Sequence, residues 1–162
     1  MKLNIIESNN YLSYDYVISI LPTKYKRAFD KAYKWEPKLK SWTYNASQSA
    51  EAVAIGQKPL VFGYKNNIMH ELAATYGLEY KYGDDEILRA GSLFKPENED
   101  LADLVAYVWG KFGITSPITH YVTGTCLGYP TRDVYNFSSQ YINPSDELKA
   151  GLNNHHNGNI IR

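Results

Sequence analysis

The sequence has a single cysteine, no excess of charge of either sign and no long hydrophobic run. One cysteine excludes an intramolecular disulfide and a cysteine-based zinc site, and it favours a reducing compartment. The 17 basic and 17 acidic residues cancel, which argues against a nucleic-acid polymer or an anionic membrane as partner. No stretch approaches the ~18 apolar residues of a membrane-spanning helix, and the first residues lack a signal-peptide core. These absences predict a cytoplasmic protein, or one in the host cytoplasm if a virus encodes it.

What is present fits one folded unit. The chain has 162 residues, of which 44% are hydrophobic and 21% charged, close to the averages for globular proteins. We expect a single domain over residues 1–162, with loose ends at 1–13 and 151–162. The 15 tyrosines and many asparagines are a composition found in small viral proteins, including those of phages, and base composition of the gene explains it equally well.

Strand-like and helix-like patterns alternate along the chain. Strands are predicted at 14–21, 39–44, 59–64, 78–82 and 118–123, and helices at 25–36, 45–55, 66–76, 97–112, 130–137 and 145–148, with a helical turn at 84–90 closed by Gly91. The helix at 97–112 has the clearest pattern, because apolar residues recur at helical spacing and acids fill its first turn. This alternation predicts an α+β fold with a single mixed β-sheet covered by helices.

The segment 118–138 carries most of the reactive side chains. It is typical of a strand, a loop with two glycines, and a helix opened by Pro130, which would direct free backbone N–H groups and a positive helix end at one spot. Arg132 would fork onto an anion, Tyr129 would stack on a ring, and His120 would act as a donor or base. The predicted ligand-binding residues are His120, Thr123, Gly124, Thr125, Gly128, Tyr129, Arg132 and Asp133. The leading hypothesis is therefore a protein that binds an anionic or nucleotide-like small molecule, and the alternative is a purely structural turn.

A local resemblance covers part of this segment. The run LGYPTRDV at 127–134, with Phe137 after it and His120 and Gly124 before it, resembles an uncharacterised bacterial family with a PHEIG…LGYPxxDVxxF segment. The strand-then-helix pattern that begins with LVFGY at 60–64 is similar to the region upstream of that motif. The resemblance implies a shared fold and adds no activity.

The spacing from Cys126 to Arg132 matches the C-x5-R phosphate loop of cysteine-dependent phosphatases, and CLG…R is most similar to the low-molecular-weight class. In that chemistry a thiolate at a helix N-terminus attacks phosphorus while the arginine holds the phosphate oxygens. His120 is a further candidate for such a site. A buried, inert cysteine is the alternative.

No motif indicates a cofactor or a metal. His70 and Glu71 begin the HExxH zinc-protease motif, but Ala74 stands where the second histidine is required.

Charge is unevenly distributed along the chain. Residues 24–40 hold seven basic residues and two acids, net +5, whereas residues 84–103 hold seven acids and two basic residues, net −5. The basic segment also contains aromatic residues, and it is a candidate interaction face through Lys26, Arg27 and Lys34. The second hypothesis is a protein-interaction module, such as a viral or mobile-element antagonist of a host factor, with an acidic protein partner. Pairing of the basic and acidic segments between copies would instead give a homo-oligomer.

Overall fold

A computed structural model describes residues 12–36, 44–81 and 90–142. In chain order the elements are α1 (Tyr14–Ile20), α2 (Thr23–Tyr33), α3 (Ala46–Ala54), β1 (Leu60–Lys65), α4 (Asn66–Tyr76), β2 (Glu79–Lys81), β3 (Ala90–Phe94), α5 (Glu99–Phe112), α6 (Pro117–Cys126) and α7 (Thr131–Ser138). Short 3₁₀ helices at Pro96–Asn98 and Ser139–Tyr141 precede α5 and follow α7. The fold is α+β, as the sequence predicts, and the predicted helices that became α2, α3, α4, α5 and α7 are confirmed. The predictions for 39–43, 84–89 and 145–148 concern residues outside the described ranges.

The three described strands form one antiparallel sheet in the order β1-β3-β2. The sequence predicted a mixed sheet, and the difference arises because β3 returns between the two earlier strands and pairs with both in the opposite direction. The β1–β3 register pairs Leu60 with Phe94. A bulge interrupts this ladder between Phe62 and Tyr64, where Gly63 has a φ of 109°.

Gly91 lies inside β3 and does not close a helical turn, so that prediction is wrong. A Cβ atom at Gly91 would lie 2.7 Å from the carbonyl oxygen of Lys81 and 2.8 Å from the ring of Tyr80. The close approach of β2 to β3 therefore requires glycine at this position.

Helices cover both faces of the sheet. Adjacent residues of a strand point to opposite faces, and Leu60 and Val61 of β1 accordingly belong to two different core clusters. The larger cluster joins one face to α1, α2, α5, α6 and α7, and its largest fully buried members include Phe29, Leu101, Leu104, Ile118 and Tyr121. The smaller cluster lies between the other face and α3 and α4, and consists of Ala50, Val53, Val61, Met69 and Leu93.

Two predicted strands are helices. Residues 14–20 form α1, which starts where the side chain of Ser13 accepts a hydrogen bond from the backbone N–H of Tyr16. Residues 118–123 lie within α6, which starts with Ser116 as N-cap and Pro117 in its first turn. Their β-branched and aromatic residues suit a strand, but packing in the core overrides that preference.

Of the residues expected to form loose ends, 1–11 and 151–162 lie outside the described ranges. Leu12 is buried in the larger cluster, and Ser13 caps α1.

Candidate functional site

Within 118–138 the predicted strand and open loop are wrong, whereas the helix predicted after Pro130 is present as α7. Helix α6 runs through Cys126, a mostly buried turn follows at 127–129, and α7 begins at Thr131. Among the residues of α6 only His120 is more than slightly exposed. The two glycines of the segment therefore do not form an open loop that could enclose a ligand.

The hydroxyl groups that were expected to bind a ligand are used inside the protein. Thr123 Oγ1 accepts a hydrogen bond of 2.9 Å from Trp109 Nε1. Thr125 Oγ1 donates one of 2.8 Å to the carbonyl oxygen of Tyr121, one turn earlier. The backbone N–H of Leu127 donates to the carbonyl oxygen of Thr123 at 3.0 Å. Each of these buried polar groups therefore has a hydrogen-bond partner within the protein, as is usual for buried polar groups.

Both glycines lie at tightly packed positions. At Gly124 a Cβ would lie 3.0 Å from Val134 Cγ1, because α6 and α7 approach closely at this point. Gly128 has a φ of 93°, and a Cβ there would lie 2.7 Å from the ring of Pro59. Their role in the described structure is steric.

The remaining predicted ligand residues divide between core and surface. Tyr129 is buried in the turn, whereas Arg132 is exposed in the first turn of α7 and Asp133 is half-buried beside it. Arg132 forms no salt bridge with any residue that the structure describes. The predicted residues thus do not converge on one accessible hollow.

Cys126 is the last residue of α6 and is fully buried. Burial raises the pKa of its thiol, so the thiolate that a phosphatase needs is disfavoured. A catalytic cysteine in a phosphate loop sits at a helix N-terminus, and Cys126 sits at the opposite end of a helix. This geometry does not fit the C-x5-R hypothesis.

Lys58 is the most unusual group near the turn, and sequence reasoning missed it. Its side chain is 3% exposed, and Nζ donates a 2.8 Å hydrogen bond to the carbonyl oxygen of Leu127 and lies 4.6 Å from the ring centroid of Tyr129. Burial lowers the pKa of the Lys58 ammonium to about 7. No salt bridge involves it within the described ranges. Lys58 thus joins the start of β1 to the 127–129 turn at an electrostatic cost.

His120 lies on α6, not in a strand as predicted, at the edge of an aromatic cluster. Its ring stacks on Tyr141 at 3.7 Å between centroids and meets Trp109 and Phe137 edge-on. Nε2 lies 2.6 Å from the carbonyl oxygen of Ile114. Because a carbonyl oxygen only accepts, this nitrogen carries the hydrogen and donates the hydrogen bond. Burial lowers the pKa of His120, which favours the neutral ring at neutral pH. These contacts give His120 a structural role in the aromatic cluster.

The charged surface of α2 is exposed. Lys24, Arg27, Lys31 and Lys34 recur at spacings of three and four residues, which places them on one face of the helix and its C-cap; we call this set the basic ridge. Lys24, Arg27 and Lys34 are exposed, and Lys34 pairs with Asp30 at 3.1 Å. Of the three predicted interaction residues, Arg27 and Lys34 belong to the ridge. Lys26 does not, because it points to α1 and its Nζ donates to the carbonyl oxygen of Ile18.

A groove of about 640 Å³ separates α2 from α5, and Lys24, Tyr25, Asp100, Asp103, Ala106 and Tyr107 line it. The rings of Tyr25 and Tyr107, which both line the groove, stack at 4.5 Å between centroids. Lys31 crosses it at one end, where its Nζ contacts Asp100 Oδ1 at 2.8 Å and the carbonyl oxygen of Glu97 at 2.7 Å. Lys24 and Lys31 of the basic segment therefore face Asp100 and Asp103 of the acidic segment within one chain.

The acidic wall of the groove consists of Asp100 and Asp103, three residues apart on α5. Asp103 pairs with Lys81 at 2.7 Å, and Lys81 also contacts Glu99 at 2.8 Å. All of these side chains are more than a third exposed. The wall thus remains accessible on its outer side.

Among the described residues, no three His, Cys, Asp or Glu side chains are arranged to hold a metal ion. None of the helices described here is both long and apolar enough to cross a membrane. Comparison of the chain with protein-family models, curated proteins and solved structures gave no match. The local resemblance around LGYPTRDV therefore stays a prediction.

Proposed function

We propose that this chain is a protein-interaction module that binds an acidic surface of another protein through the basic ridge. The observation that carries the proposal is the alignment of four cationic side chains on one face of α2. Opposite charges on two surfaces steer their encounter and select the partner.

The distribution of ion pairs supports this choice of surface. Lys24 and Arg27 form no salt bridge with any part of the chain that the structure describes, whereas Lys31 and Lys34 each have one carboxylate partner. All four are solvated, so an incoming carboxylate would not have to break a buried contact. The buried hydroxyls and thiol of α6 offer no comparable surface, so binding of an anionic small molecule at 123–133 receives no support from the geometry.

The test is fluorescence anisotropy of a fluorescein-labelled peptide of alternating Glu and Ala. We expect binding at low ionic strength that weakens as salt is added, because exposed charge pairs are screened. The double variant Arg27→Glu plus Lys34→Glu should weaken binding about tenfold or more, which corresponds to ~1.4 kcal/mol.

The matched control is Lys65→Glu plus Arg132→Glu. Both residues are exposed, lie outside the ridge, and give the same change of net charge. Equal losses of peptide affinity in the two double variants would show that only net charge matters. A larger loss in the control would indicate that the peptide binds near Arg132 or Lys65. Either result would contradict the proposal, as would a peptide that does not bind the native protein at concentrations at which the chain is monomeric.

A further inference from the structure

The two walls of the α2–α5 groove carry opposite charge at matching levels. The Lys31–Asp100 ion pair and the Tyr25–Tyr107 stack show that the two helices run antiparallel across the groove. Arg27 lies between Tyr25 and Lys31, and Asp103 lies between Asp100 and Tyr107. Arg27 and Asp103 therefore occupy the same level on opposite sides.

Arg27 and Asp103 do not pair with each other within the chain. Arg27 is exposed and forms no salt bridge with any described residue, and Asp103 pairs with Lys81, which does not line the groove. Each therefore has an exposed side on which an opposite charge from another molecule could lie.

A surface with a basic row on one side and an acidic row on the other is self-complementary. A two-fold axis along the groove would place the ridge of each copy over the acidic wall of the other, with equal residues at equal levels, as isologous interfaces require. The same axis would bring the two Tyr25–Tyr107 pairs together at the centre, where aromatic side chains contribute most. The chain has no net charge, so two copies do not repel each other overall.

A uniformly acidic partner fits this surface less well. It would gain attraction from the ridge but would place carboxylates against Asp100 and Asp103 across the groove, and like charges in contact oppose binding. The presence of both walls around one groove thus favours a partner that carries both signs in the same arrangement.

We propose that the partner at the basic ridge is a second copy of this chain, in a symmetric dimer in which Arg27 of each copy lies over Asp103 of the other. This inference rests on the proposed function, since it names the partner of the same surface. At the next matching level, Lys34 of one copy would lie over Glu97 of the other, and both side chains are exposed.

A charge swap tests the arrangement by sedimentation velocity at low ionic strength. The native chain should dimerise, and Arg27→Glu or Asp103→Arg alone should raise the dimer dissociation constant about tenfold or more, because each creates two like-charge contacts. An equimolar mixture of the two variants should form heterodimers, because the introduced glutamate then lies over the introduced arginine and the native Arg27 lies over the native Asp103. The swap of Lys34→Glu with Glu97→Lys repeats the test with a second pair, should Asp103→Arg impair folding.

Three results would overturn the dimer: a native chain that stays monomeric at low salt, a dimer that neither single variant weakens, or a mixture that does not associate. The acidic-peptide measurement separates this failure from that of the proposed function. Peptide binding that depends on the ridge, together with a monomeric chain, would keep the interaction module and remove the second copy as its partner.

Discussion

The α6 segment with its following turn (residues 117–129) and the basic ridge of α2 both looked functional in sequence, but they use their polar groups in opposite ways. In α6 the hydroxyls of Thr123 and Thr125 are buried and bonded to neighbouring atoms of the core. On α2 the cations of Lys24 and Arg27 project into solvent. The comparison teaches that residue type indicates which chemistry is available, whereas exposure decides whether another molecule can reach it.

Lysine gives the sharpest version of this comparison, because the described residues include lysines in both settings. Lys58 is buried without a carboxylate partner among the described residues, and Lys31 is partly exposed and paired with Asp100. Solvated ion pairs contribute little to stability, whereas burying an ammonium is costly. The same substitution at the two positions should therefore have very different effects.

The largest expected effect is a gain of stability from Lys58→Met. The pKa of Lys58 falls from 10.5 in the unfolded chain to about 7 in the folded one, so between these pH values the unfolded chain binds more protons. Native stability should therefore rise with pH across this window, and Lys58 should cost most near and below pH 7. After allowance for the lost hydrogen bond to Leu127, we expect about 3 kcal/mol of stabilisation at neutral pH.

Urea unfolding of native and Lys58→Met chains checks this expectation. The difference in unfolding free energy should shrink as the pH rises toward 10.5, because the native amine then loses its proton in both states. A variant that is less stable than the native chain at neutral pH, or a difference that does not change with pH, would contradict the burial cost assigned to Lys58.

The next effect concerns the turn that Lys58 contacts. Gly128→Ala should destabilise the protein by about 2 kcal/mol or more, because it adds a clash with Pro59 to a backbone with positive φ. Gly77→Ala is the control, since Gly77 has a φ of 68° but nothing within 4 Å of a Cβ, and it should cost only about 1 kcal/mol. Equal losses in thermal or urea unfolding would show that the turn is less tightly packed than described.

The smallest effect on stability is expected from substitution of the partly exposed Lys31. Lys31→Met removes the ion pair with Asp100, whose partners are 38% and 47% exposed, and should change the free energy of unfolding by less than about 0.5 kcal/mol. The measurement is the same urea titration used for Lys58→Met, at neutral pH. A loss of unfolding free energy comparable to that of Gly128→Ala would mean that the ridge stabilises the fold by holding α2 against α5. It would weaken the assignment of the ridge as a binding surface.

The helix that sequence reasoning identified most clearly is exposed on one side. Helix α5 has an apolar stripe and an acidic first turn, and this pattern persists because solvent selects the opposite face. Strand β1 is a short apolar run after Pro59, and its first residues, Leu60 and Val61, are buried in the two core clusters. Helix α6 has no such stripe, since nearly all its residues are buried, and its β-branched residues then suggested a strand. The Ser116-Pro117 start was the available signal for a helix.

The candidate site was harder to predict from the sequence than the fold. Nothing local to Lys58 indicates burial, because its environment comes from residues 127–129, almost seventy positions later in the chain. The basic character of residues 24–40 was visible in the sequence, but the groove depends on the antiparallel pairing of α2 with α5. Such contacts between distant segments are set by packing.

The bulge at Gly63 also has a consequence for how this chain meets others. Among the described strands β1 is an outer strand, and regular outer strands offer evenly spaced amides to which a foreign strand can add. The extra residue between Phe62 and Tyr64 breaks that spacing and twists the strand locally. The β1 edge of the sheet is thereby a poorer template for strand addition than a regular outer strand would be.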